Sequence, residues 1–135
     1  GSIMTSYDEI WEFFLLNCKT SDINLPTDET LIYKSIRNAV LRFNNRLRDK
    51  KIKCNDETET VNRVMNEDDL LILVHYLRLI FLTNEQTFFQ TTWQPFAKDV
   101  GVTNYGTQIN SLGKSIEEQK AEIDRLIMNT EVDYL

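Results

Sequence analysis

The run Asp69–Leu82, DLLILVHYLRLIFL, limits what this chain can fold into more than any other stretch. All of its residues except Asp69, His75 and Arg78 are Leu, Ile, Val, Phe or Tyr. Crossing a bilayer takes about 20 apolar residues, so the run is too short to span a membrane. A helix apolar almost all round is instead one that neighbours surround. Asn66 stands where a cap is needed, and Glu67, Asp68 and Asp69 set negative charge at the positive end of the helix dipole. The expectation is a central helix from Asn66 to about Thr92, ended or kinked at Pro95, which has no amide to donate.

The rest of the chain must supply those neighbours. Its 135 residues make one domain, burying roughly two thirds of the unfolded surface. Only 4 Gly and 2 Pro interrupt it, which leaves long segments that favour helix. A net charge of -6 opposes bulk attraction to nucleic acid or anionic lipid, although a local basic face can sit on an acidic protein. Cys18 and Cys54 lie far apart without CxxC spacing and read as reduced thiols of an intracellular protein. Gly1-Ser2 looks like the scar of a purification tag, with Met4 as the native start, and neither a signal peptide nor a membrane span is evident.

Three further helices are expected. In the first, Thr5 to about Lys19, Ser6 and Glu9 have capping-box spacing, and Tyr7, Ile10, Trp11, Phe14, Leu15 and Cys18 fall along one face. The second, Thr27 to Lys50, follows Pro26 and carries the stripe Ile32, Ile36, Ala39, Val40, Phe43 and Leu47. Its other face is basic: Lys34 to Lys53 holds eight Lys or Arg against one acid, Asp49. That face reads either as solvated, with cations favoured near the helix C-terminus, or as a contact for an acidic partner or phosphates. Lys51–Met65 shows no clear period, and a loop with a short helical or extended piece is expected.

Phe96–Gly106 reads as a connector whose Val100–Thr103 run has strand character. The last segment, Thr107 to about Met128, places Ile109, Leu112, Ile116, Gln119, Ile123 and Leu126 on a seven-residue repeat with one polar member. It reads equally as a helix docked on its own domain and as one docked on a neighbouring copy. The expected fold is therefore all-α: about four helices in a small bundle around the central apolar helix, with an irregular connector and a C-terminal helical arm. Within one domain, residues 5–95 form the bundle, and 96–135 form the connector and the arm.

Chemistry is sparse. The one histidine, His75, has Leu71 and Leu79 as its neighbours at i−4 and i+4, and reads as a core histidine satisfied by a hydrogen bond. No HxxxH, CxxC, EF-hand, GxGxxG or P-loop pattern occurs. The aromatics Trp11, Phe13, Phe14, Tyr33, Phe43, Tyr76, Phe81, Phe88 and Phe89 sit at core or subunit-contact spacings and are not interleaved with Lys and Arg as a base-stacking platform would be. No catalytic, cofactor-binding or metal-binding residue is nominated.

The order of elements is what carries a resemblance. A short aromatic helix, TDETLIYKSIRNAVLRFNNRL, EDDLLILVHYLRLIFLTNEQTFF, a small-residue connector and YGTQINSLGKSIEEQKAEIDRLI follow one another. The chain resembles the head–tail connector (neck adaptor) proteins of tailed bacteriophages over about residues 6–129. The resemblance implies a non-enzymatic structural protein of the virion neck, made in the host cytoplasm. It further implies a ring of about a dozen copies between a portal protein and a tail-side neck protein, with DNA passing through without sequence-specific binding. Such a protein can be monomeric until it meets the portal.

Candidate contact residues are Lys34, Arg37, Arg42 and Arg46 on the basic face, Val100, Val102 and Tyr105 in the connector, and Ile109, Leu112, Ile116 and Ile123 on the arm. A ring contact joins two different surfaces. The basic helix is expected to meet a neighbour's acids from Asp56–Glu59, Glu67–Asp69 or Glu117–Glu131, so that charge reversal at Arg42 and Arg46 weakens assembly at low salt. The alternative is a small helical regulator binding nucleic acid or a protein through residues 34–53.

Overall fold

The structure is a computed structural model that describes residues 4–93 and 105–132. Its four helices are α1 (Tyr7–Asn17), α2 (Glu29–Arg46), α3 (Glu67–Phe88) and α4 (Tyr105–Val132). A 3-10 turn, Arg48–Lys50, follows α2, and a π-helical turn, Phe89–Trp93, extends α3. The all-α expectation is met, with α3 at the centre packed against each of the other three helices. Pro95, the Val100–Thr103 run and Gly1-Ser2 lie outside the described residues.

Caps fix where the helices start. Ser6 Oγ accepts from the Glu9 amide, Asp28 from the Thr30 amide, and Asn66 Oδ1 from the Asp69 amide at 2.8 Å. Each satisfies an amide that the first helical turn would leave unpaired. Around α3, Ile72, Leu73, Val74, Leu77 and Leu82 are fully buried. Burying an aliphatic side chain of this size stabilises by roughly 1.5–3 kcal/mol against leaving it exposed.

On one side, α1 brings Trp11 and Phe14 edge-on or tilted against Phe81, at 6.0 and 5.6 Å between ring centroids. Leu15, expected within that buried stripe, is instead half-exposed. α2 runs back along α3, with Leu31 and Ser35 beside Asn84 and Phe88, and Arg46 beside Tyr76.

α4 packs on α3 of the same chain. Gly113 lies beside Gln86 and Gln119 beside His75, so the two helices are antiparallel. Ile116, Gln119, Ile123 and Ile127 are buried along the seam, while Leu126 is only partly so. The step from Ile123 to Ile127 departs from a strict heptad. A straight helix of 3.6 residues per turn drifts from a 3.5-residue repeat, so the buried line passes to the next position.

Lys51–Met65 contains a hairpin that has no readable period because each strand is only two residues long. β1 (Cys54–Asn55) pairs antiparallel with β2 (Thr60–Val61). Asn55 Oδ1 accepts from the Glu57 and Thr58 amides to shape the turn, and Glu59 closes it with φ 55°. The start of the chain then adds to this hairpin: Ser6 bridges Thr60, the Val61 amide donates to the Thr5 carbonyl at 2.8 Å, and the Thr5 amide donates to Arg63.

Candidate contact surfaces

The polar groups inside the protein are matched to one another. Asp69, only 3% exposed, lies with Oδ2 3.2 Å from Arg63 Nη2 and Oδ1 3.5 Å from Lys50 Nζ. The Lys50 contact is an ion pair without hydrogen-bond geometry, since Asp69 Oδ1 has no hydrogen-bond donor. Arg63 also donates to the Lys50 carbonyl, so one guanidinium ties the hairpin, the 3-10 turn and the start of α3 together. Arg78 forks onto both carboxylate oxygens of Asp22 at 3.3 and 3.0 Å and holds the α1–α2 loop to α3.

His75 is occupied in the same way. Gln119 Nε2 lies 3.1 Å from the His75 carbonyl and 2.7 Å from Nδ1. A carbonyl only accepts, so the amide NH2 must face it, and that same group then donates to Nδ1. The imidazole is therefore neutral, with its proton on Nε2, and burial lowers its proton affinity below the ordinary value. Burial likewise pushes the Cys18 thiol up to about 12, and the thiol donates to the Val74 carbonyl. Among the described residues no group of three or more His, Cys, Asp or Glu could hold a metal ion, and no helix is long and apolar enough to cross a membrane.

Three of the acids expected to meet a neighbour's basic helix pair with cations of this chain's own basic segment. Arg37 pairs with Asp56 at 3.3 Å, Arg46 with Asp124 at 2.8 Å, and Lys50 with Asp69. The first two pairs join α2 to the hairpin and to α4, and the third joins the 3-10 turn to α3, all within one copy. Lys34 and Arg42 are exposed and enter no ion pair among the described residues. Ile116 and Ile123 are core of the same chain, so they offer no open contact surface, and Ile109 and Leu112 are half-buried beside them. Tyr105 is the first residue of α4, and Val100 and Val102 lie outside the described residues.

Open apolar surface lies elsewhere. Leu16 at the end of α1 is 77% exposed and Leu41 on α2 60% exposed, with Leu15, Leu31 and Phe88 about half-exposed. Leu31 and Phe88 edge an open depression of about 370 Å³ floored by Phe81 and flanked by Leu25 and Pro26. A leucine off its helix's buried stripe was the available sequence signal for Leu16, Leu31 and Leu41. The stripe marked the core, and the leucines outside it mark the surface.

Comparison with known sequences identifies relatives of phage origin. The sequence profile of the family described as YomZ prophage protein matches residues 4–132. The SPbeta prophage-derived uncharacterized protein YomZ of Bacillus subtilis (strain 168) is 64% identical over 132 residues, covering 98% of this chain and all of the relative. No solved structure matches the chain.

Proposed function

We propose that this chain, which belongs to the YomZ prophage protein family, is a non-enzymatic assembly protein of a phage particle, of the head–tail connector kind. It would act in the virion neck after synthesis in the bacterial cytoplasm, with a portal protein on one side and a tail-side protein on the other. The observation that carries this reading is a division of labour in the side chains. Buried and half-buried polar groups are paired within the chain, Asp69 with Arg63, Arg78 with Asp22 and His75 with Gln119, whereas exposed leucines stand on the outer faces of α1 and α2 beside charges that enter no ion pair among the described residues. Singly exposed leucines are ordinary, but leucines set in charged stripes on adjoining helices suit protein contacts.

Solution mass is the test, measured by light scattering for the 15.9 kDa chain alone and with a portal ring from the same phage. A defined ring or a portal-dependent complex supports the connector, and a chain that remains monomeric in both conditions removes it. A second reading, a regulator that binds nucleic acid, draws on Lys34, Arg42 and Arg48, which enter no ion pair among the described residues. Titration with duplex DNA over a salt series separates the two, because phosphate contacts make affinity fall steeply as salt rises.

A further inference from the structure

The surfaces of α1 and α2 that face away from α3 are complementary. On α1, Glu9, Glu12 and Leu16 share one stripe, all three are exposed, and neither glutamate enters an ion pair among the described residues. On α2, Lys34, Asn38, Leu41 and Arg42 share the outward stripe, all exposed, and neither cation is paired among the described residues. One stripe is leucine with acids and no base, and the other is leucine with bases and no acid.

The spacing agrees as well. Glu9 to Leu16 and Lys34 to Leu41 are the same interval along a helix, seven residues or about 10.5 Å at 1.5 Å rise per residue. Laid side by side and parallel, Glu9 faces Lys34 while Leu16 faces Leu41. Arg42 then stands beside Leu41, as Glu12 stands one turn before Leu16. Three acids that a neighbour's cations might have sought, the exposed Asp56 and Asp124 and the buried Asp69, already have cations of their own.

We propose that the Glu9–Glu12–Leu16 stripe of α1 docks on the Lys34–Leu41–Arg42 stripe of α2 in a second copy of this chain, head to tail. The docking deepens the assembly reading and rests on it. Two copies that each carry a charge of -6 repel at long range. Association therefore needs a local patch of opposite sign, which α2 supplies. Because the two stripes are different surfaces, the contact is heterologous, and repetition closes a ring or extends a filament.

Paired charge reversals test it in the full chain, with circular dichroism confirming that each variant folds. Glu9→Lys/Glu12→Lys makes both stripes basic, and Lys34→Glu/Arg42→Glu makes both acidic. Each variant alone should associate at least about tenfold more weakly than the native chain by sedimentation at low salt, equivalent to about 1.4 kcal/mol. Mixed in equal amounts the two should recover association, because each then offers what the other lacks. Native-like association of either variant alone, or failure of the mixture to recover it, overturns the docking while leaving the connector reading to the portal experiment. A native chain that stays monomeric at high concentration and low salt also overturns the docking. The portal-dependent mass is then read separately.

Discussion

Asp69, which is buried, and His75, which is half-buried, lie less than two turns apart on α3 and are satisfied in opposite ways. Asp69 is met by two cations, Arg63 and Lys50, which come to it from the end of the hairpin and from the 3-10 turn. His75 has no charge to keep, and a single amide from α4 satisfies both its ring nitrogen and its own carbonyl. The first site is held by ions from segments close in sequence. The second is held by one neutral side chain from a helix 44 positions away. Burying a charge makes the local fold intolerant of losing a partner, whereas burying a neutral pair fixes helix register at smaller cost.

That contrast can be broken most forcefully at Arg63. Arg63→Met leaves Asp69 buried with only the ion pair to Lys50, and should destabilise the chain by roughly 3 kcal/mol in urea unfolding. Adding Asp69→Leu should recover much of the loss, since a buried pair is dispensable once both partners become apolar. At the neutral site, Gln119→Leu leaves Nδ1 and the carbonyl of His75 without a donor and should cost about 2 kcal/mol. A cost as large as that at Arg63 would contradict the distinction between the two sites.

Smaller changes sharpen it. Gly113 lies in the α4 helix, and among the described residues a methyl group there would meet only Gln86 Nε2, at 3.8 Å. Gly113→Ala should therefore raise the unfolding free energy by about 1 kcal/mol, strengthening the α4 side without touching Asp69. Last, mild acid should weaken the fold through His75. Burial lowers its folded pKa below the unfolded value of about 6.5, so the unfolded chain takes up the proton first as pH falls. The contribution is full above that value and is lost as pH drops through the folded pKa. In His75→Gln, whose amide oxygen can still accept from Gln119, this part of the slope in stability against pH should disappear.

The same two residues show how far the sequence could be read. Glu67, Asp68 and Asp69 announced a helix start, and Asn66 does cap it. Nothing marked Asp69 as the buried member of the three, because its cations come from a turn and a hairpin with no periodicity. Gln119 was visible as the polar member of a repeat, and His75 as a lone histidine in an apolar helix. Joining them needed the antiparallel register of α3 and α4, which no local pattern encodes. The helices themselves were legible because their apolar stripes are long. Of the surface stripes, Lys34 and Arg42 stood out in the basic run of α2, whereas Glu9 read only as a capping partner and nothing in the pattern of α1 set Glu12 and Leu16 apart.

The hydrogen bonds from Thr5 and Tyr7 to residues 59–63 also govern the order in which the protein can form. The strand partners of the chain's first residues are made some fifty-five positions later. A ribosome must therefore synthesise through the hairpin before α1 is anchored at its start, and contacts between distant segments form more slowly than local ones. Until then Trp11 and Phe14 have no Phe81 to pack against, and the aromatic face of the nascent helix stays open to solvent and to chaperones.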